Sequence, residues 1–326
     1  TLNAGTANLV LTANTGGFID GGAGDITANN LTLIANTAAQ TIGAAAGSEI
    51  DVILSGALTA SASNGAGGIF ISAASNNLTV ATVNAGSGSV ELSSSTGSIL
   101  DDANDLTVIT GTSVTLRADT TGADSIGTLA NAINTTVDTL VASAGTGGIF
   151  IDETNVLSIG GTGVQTTGAS GDIAITLATG DLTLNEDITA AGSGSLILTL
   201  NGSGAALITD NVIDEIASSS GPVTITADVL TLALGNISTS GAITLQPATP
   251  GRPIVIGAAG APTDFALSAA ELALLTDGAS SITIGRSNGT GGATINAITF
   301  NDPVTIRSPS GGAIAVNGLL TGAGNA

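Results

Sequence analysis

The chain has 326 residues and a formal charge of −21, carried by 25 Asp and Glu against four Arg, with no Cys, Met, Trp, Tyr, His or Lys. That composition excludes disulfides, thiolate and imidazole chemistry, zinc–thiolate centres and Schiff-base lysines. With cations only at Arg117, Arg252, Arg286 and Arg307, so acidic a surface repels nucleic acid and anionic lipid.

From the N-terminus onward, short segments alternate an aliphatic residue with a small polar one. Strands are predicted over 31–35, 51–54, 69–72, 90–93, 114–118, 149–152, 173–177, 196–200, 223–227, 243–246, 254–257, 282–285, 304–307 and 314–317. Val223-Thr224-Ile225-Thr226 shows the two-residue period of a half-buried strand, and Gly, Asn, Asp and Ser fill the gaps as turns require. One segment reads as a helix. Ser268 and Glu271 form a capping box, Leu267 and Leu272 the hydrophobic staple, and Gly278 a stop, which predicts a short helix near 269–276 docked through Leu272 and Leu275. No run of about 18 apolar residues offers a membrane helix, and five Phe are too few for the aromatic girdles of a membrane barrel. No membrane insertion is expected.

The strongest pattern is Asx-x-Leu-Thr/Ser-aliphatic, with its Leu at 31, 78, 106, 157, 182 and 230; the fifth copy has Gly first. The steps are 47, 28, 51, 25 and 48, and pairs of steps sum to nearly constant values, a super-repeat of roughly 75 residues. Gly67-Gly68-Ile69-Phe70-Ile71 also recurs as Gly147-Gly148-Ile149-Phe150-Ile151. A second alignment sets 116–127 against 245–257 and places the helix where the earlier unit has residues 136–142. Such repeats of strand-forming segments predict a solenoid, in which each coil needs only its neighbours, with no domain boundary within 1–326.

The run Thr96-Gly97-Ser98-Ile99-Leu100-Asp101-Asp102-Ala103-Asn104-Asp105-Leu106-Thr107-Val108, followed by Val114-Thr115-Leu116-Arg117-Ala118, resembles the repeat regions of filamentous-haemagglutinin-like exoproteins. The resemblance is one of repeat style and extends over most of the chain. It implies a right-handed parallel β-helix and a place in a very large protein of the bacterial surface. At about 20 residues per coil and a strand spacing of about 4.8 Å, roughly 16 coils on the order of 75 Å in length are expected. The chain reads as a section of a longer repetitive protein.

Chemistry-bearing candidates are few. Asp101, Asp102 and Asp105 could supply hard oxygens to calcium, or form a polar turn whose side chains bond their own backbone. Gly21-Gly22-Ala23-Gly24-Asp25 resembles a calcium-binding nonapeptide with its Asp one residue early. Asp152-Glu153, Glu186-Asp187 and Asp214-Glu215 could be glycosidase pairs, but the expectation is solvated turn acids, because no Trp or Tyr offers a sugar platform. Sequons occur at Asn30, Asn77, Asn134, Asn201, Asn236 and Asn288, with a turn role expected for the first two. Phe18, Phe70 and Phe150 follow Gly-Gly or Gly-Gly-Ile. An outward Phe70 and Phe150 would make a lateral adhesive patch, unless a loop covers them or the Phe points inward.

The expectation is a non-enzymatic, extracellular fibre or stalk segment with no catalytic, cofactor or metal residues, and calcium bound only diffusely by acidic turns. Its partners would be further repeats or copies of itself, neighbouring filaments and cell-surface components. An adhesin and a polysaccharide-processing β-helix enzyme are the alternatives.

Overall fold

The computed structural model describes residues 1–22, 24–45, 47–104, 108–209, 214–308 and 311–323. The chain is a β-solenoid of about 13 parallel turns averaging about 23 residues, with almost no helix. Two compact units are distinguished: 1–154 with 165–171, and 155–164 with 172–326.

In the first unit the aliphatic–polar alternation becomes an inside–outside alternation. Strand Leu31–Ala35 and strand Ile69–Ala73 both show it, their first, third and fifth residues buried and the others half-buried. Successive coils pair in parallel and in register. Leu9, Leu31 and Leu58 form one column, and Val90, Val114 and Leu140 another. Leu31, Leu58, Val114 and Leu140 are fully buried. Burying each such side chain contributes about 1.5–3 kcal/mol, and the parallel ladder satisfies the backbone at the same time.

The second unit repeats this rule. Its columns include Leu157, Leu182, Leu207 and Leu230 on one sheet, and Ile173, Leu196, Val223, Ile243, Ile282 and Val304 on another. Most steps are 20–27 residues, but Ile243 to Ile282 is 39. The excess holds strand Ile254–Ile256, strand Phe265–Leu267 and the helix.

That helix spans Ala269–Leu272, and its capping box is present: Ser268 Oγ accepts from the Glu271 N–H, and the Glu271 carboxylate accepts from the Ser268 N–H. It ends earlier than residue 276 because the chain becomes extended at Leu275, which bridges to Ile237; the Thr276 N–H donates to the Ile237 carbonyl. Leu272 and Leu275 are both buried, so the docking side chains are the expected ones.

The coil is longer than the twenty residues expected, because turns and insertions add to two or three short strands. This length also explains the motif spacing. From Leu157 to Leu182 is one coil, and from Leu182 to Leu230 is two. The apparent 75-residue period is therefore three coils rather than a structural unit.

Candidate functional site

Asn and Asp residues one position before a strand act at coil corners, among them Asn30, Asn77 and Asp181, which immediately precede the Leu of the motif. In the first unit the Asn30 Oδ1 accepts from the Ala57 N–H (2.8 Å), and the Asn77 Oδ1 from the Ser98 N–H (2.9 Å). In the second, Asp181 accepts from the Ala206 N–H (2.8 Å), Asp172 from Ser195 (2.7 Å) and Asp187 from Glu215 (2.8 Å). In every case donor and acceptor immediately precede residues paired in the ladder, such as Leu31 with Leu58 or Leu182 with Leu207. As the chain turns into a strand, that amide is met by a side-chain oxygen of the previous coil. A short carboxylate or carboxamide reaches it, which is why Asn and Asp recur there. Asn30 and Asn77 therefore have the turn role expected of them. The third copy falls on Asp105-Leu106-Thr107, outside the described residues.

The aromatic patch is not formed. The Ile pairs are inside, Ile69, Ile71 and Ile149 fully buried and Ile151 nearly so, which places Phe70 and Phe150 on the opposite face. Yet Phe150 is only 9% exposed and Phe70 half-buried. Opposite Phe150, the neighbouring coil pairs Ile126 with Ile149 and Ile133 with Ile151, so Gly127 to Ala132 bulge out beside the single Phe. Ile42 with Ile69, and Ile50 with Ile71, bracket Phe70 in the same way. Each bulge opens on a glycine of positive φ, Gly43 at 72° and Gly127 at 65°. An added Cβ there would come within 2.4 Å of the Phe70 carbonyl oxygen or 2.7 Å of that of Phe150. Phe18 pairs with Ile42 and so stands in the column of Ile69, not of Phe70.

The acids divide into turn formers, buried acids and one crowded group. Asp101 accepts from the Ala103 N–H and Asp102 from the Asn104 N–H, a polar turn. Asp105, and Ala23 of the glycine-rich stretch, lie outside the described residues. Among the described residues no three acids converge as a metal-holding group.

The three paired acids are not uniformly solvated. Asp152 is exposed, but Glu153 is buried and accepts from Thr135 Oγ1 (2.7 Å) and from the Val137 (3.2 Å) and Thr154 (2.8 Å) amides. Asp214 is also buried. The Glu153 carboxylate holds hydroxyl and amide donors, and Asp187 holds an amide. The crowded group surrounds Asp51, whose carboxyl is raised above its usual range, first by burial and then by the charges of Asp20, Asp25 and Glu49; a hydrogen bond from Ser72 opposes this.

In the second unit the long coil builds a braced groove. Asp228 is fully buried. Its oxygens accept from the Thr249 N–H (2.8 Å), Thr249 Oγ1 (2.7 Å) and the Gly204 N–H (2.9 Å), with Arg252 Nη1 at 3.6 Å. Burial pushes this carboxyl up, but the bonds from Gly204 and Thr249 and the Arg252 charge prevail and hold it below its usual range. Arg252 Nη2 donates in turn to the Pro262 carbonyl at 2.9 Å. Pro262 lines a groove of about 630 Å³ between the outward residues Val229, Thr231 and Ala233 and the insertion, whose carboxylates there are Asp264 and Glu271.

The sequence marked Asp228 as a motif residue, but nothing in it paired that acid with Arg252 or pointed to the groove. Fold and surfaces together define a β-solenoid repeat protein. Comparison with protein-family models, curated proteins and solved structures finds no match for the chain.

Proposed function

We propose that the chain is a structural segment of a fibre or stalk outside a bacterial cell. The observation that carries this reading is the direction of its bonding. Parallel ladders join each coil to the next, and side-chain bonds at the corners, such as Asn30 to Ala57 and Asp181 to Ala206, do the same. A spacer that must hold distance under load needs cohesion between consecutive repeats, and here both backbone and side chains supply it. Several of the acids described above, such as Asp101, Asp102, Asp172, Asp181 and Asp187, tie turns and corners. The placement at a bacterial surface comes from the resemblance in repeat style. Further repeats, copies of the chain and neighbouring filaments are its expected partners.

The test is immunogold labelling of intact and permeabilised source cells with antibody to this chain. Label on extracellular fibres of intact cells is expected. Label confined to the interior of permeabilised cells overturns the reading. A second reading, a binding module, is favoured by the groove beside Asp264 and Glu271.

A further inference from the structure

We propose that the groove of the second unit docks an extended basic peptide of a partner protein, with a lysine or arginine side chain facing Asp264 and Glu271. The proposal is independent of the fibre reading. Three observations support it. The floor is the outward face of strand Val229–Leu232 and the residue after it, where Val229, Thr231 and Ala233 alternate with buried Leu230 and Leu232. Their two-residue period matches an extended chain lying along the strand. The volume, about 630 Å³, admits several small residues.

The charge is one-sided. Each lining carboxylate uses one oxygen locally, Asp264 Oδ2 accepting from the Ala261 N–H and Glu271 Oε2 from Ser268. Neither of those bonds uses the second oxygen, and none of the four arginines lines the groove. An ammonium or guanidinium is the group two such carboxylates recognise.

The wall is fixed before a ligand arrives. The Pro262 carbonyl is held by Arg252, which is itself set against buried Asp228. Such preorganisation lowers the ordering cost of binding. A second copy is a poorer occupant: the chain has no Lys, Arg252 and Arg286 are bonded to its own carbonyl groups, Arg117 is paired with Glu91, and the Arg307 amide is held by the Ile284 carbonyl of the neighbouring coil.

The test uses the full chain and fluorescein-labelled pentapeptides, one with a central lysine among Ala and Val, the other with acetyl-lysine. Anisotropy should show saturable binding of the lysine peptide, weakened about tenfold or more by acetylation, a loss of the size expected for a charge-assisted contact. Asp264→Asn with Glu271→Gln should weaken it similarly. Both amides keep an acceptor oxygen, and Gln also serves in a capping box, so the fold is retained. Asp138→Asn, an exposed acid elsewhere, should change nothing. Absence of saturation, equal binding of the acetylated peptide, or an equal loss with Asp138→Asn overturns the proposal; the last would show diffuse attraction to an acidic protein.

Discussion

Replacing Asp228 by Asn should loosen the insertion that carries the groove. The carboxylate accepts three hydrogen bonds, from the Gly204 amide and from the Thr249 amide and hydroxyl, and faces Arg252 at 3.6 Å. An Asn retains one acceptor oxygen, turns an NH2 toward donors, and leaves a guanidinium whose side chain is only 10% exposed without its counter-charge. Breaking one partner of a buried pair costs about 3–5 kcal/mol, and the partial exposure of Arg252 places the expected loss near 3 kcal/mol. Because solenoids open locally, a single melting curve would understate the effect. Hydrogen exchange of peptides spanning 249–268 should accelerate by about a hundredfold, the equivalent of nearly 3 kcal/mol. The sign with pH is fixed. A carboxyl lowered on folding contributes stability that is present above its ordinary value of 3.8 and is lost as pH falls through the folded value. The gap between variant and parent should therefore be full at pH 7 and close only below 3.8. Adding Arg252→Met to Asp228→Asn should recover part of the protection, since no buried charge then remains, although the bond from Arg252 to the Pro262 carbonyl is lost. Acceleration below about threefold in the single variant, on the same logarithmic scale, would refute the brace.

Asp51→Asn should stabilise the first unit by about 0.5 kcal/mol at pH 7, in keeping with a partly exposed like-charge contact. A carboxyl raised by burial and by Asp20, Asp25 and Glu49 favours folding below its unfolded value, and that contribution is lost as pH rises through the folded one. Circular dichroism melts, needed because the chain has no Trp or Tyr, should show the gain at low salt and its decline in 0.5 M salt on the order of a Debye length of a few ångströms. Asn77→Ala should expose the Ser98 amide, raising its exchange roughly fivefold for a loss of about 1 kcal/mol. Gly56→Ala should destabilise by about 1–3 kcal/mol, because its Cβ would lie 2.1 Å from the Asn30 Oδ1, and Asn30→Ala should relieve much of that cost in the double variant. Native trypsin digestion should cut first after exposed Arg307, since Arg117 lies within a strand, Arg252 precedes Pro253 and half-buried Arg286 is bonded to the Pro247 and Ala248 carbonyls; rapid cleavage after Arg117 would contradict the ladder around it.

Much of the fold was legible because strand and burial share one period. Wherever the sequence alternates, as in Val223-Thr224-Ile225-Thr226, Val223 and Ile225 point inward and Thr224 outward, and the register with the next coil repeats the rule. The helix was legible through its cap, but its end was not, since Leu275 is drawn into a bridge with Ile237 on another coil, and local propensity carries no trace of that contact. The same limit hid the groove and the buried pair beside it. Contacts between coils depend on coil length, which is 25 residues from Leu157 to Leu182, 27 from Leu196 to Val223 and 39 from Ile243 to Ile282. One insertion therefore changes which side chains become neighbours. Asp228 reaches Arg252 only because the long coil folds back on the preceding one, and the same excursion raises the wall that turns an ordinary strand face into a groove. Regular coils explain the scaffold, and the long coil from Ile243 to Ile282 supplies the groove wall and the arginine of the buried ion pair. Selection for a bound partner would act on that insertion, while selection for the fibre alone would act on the corners and the columns.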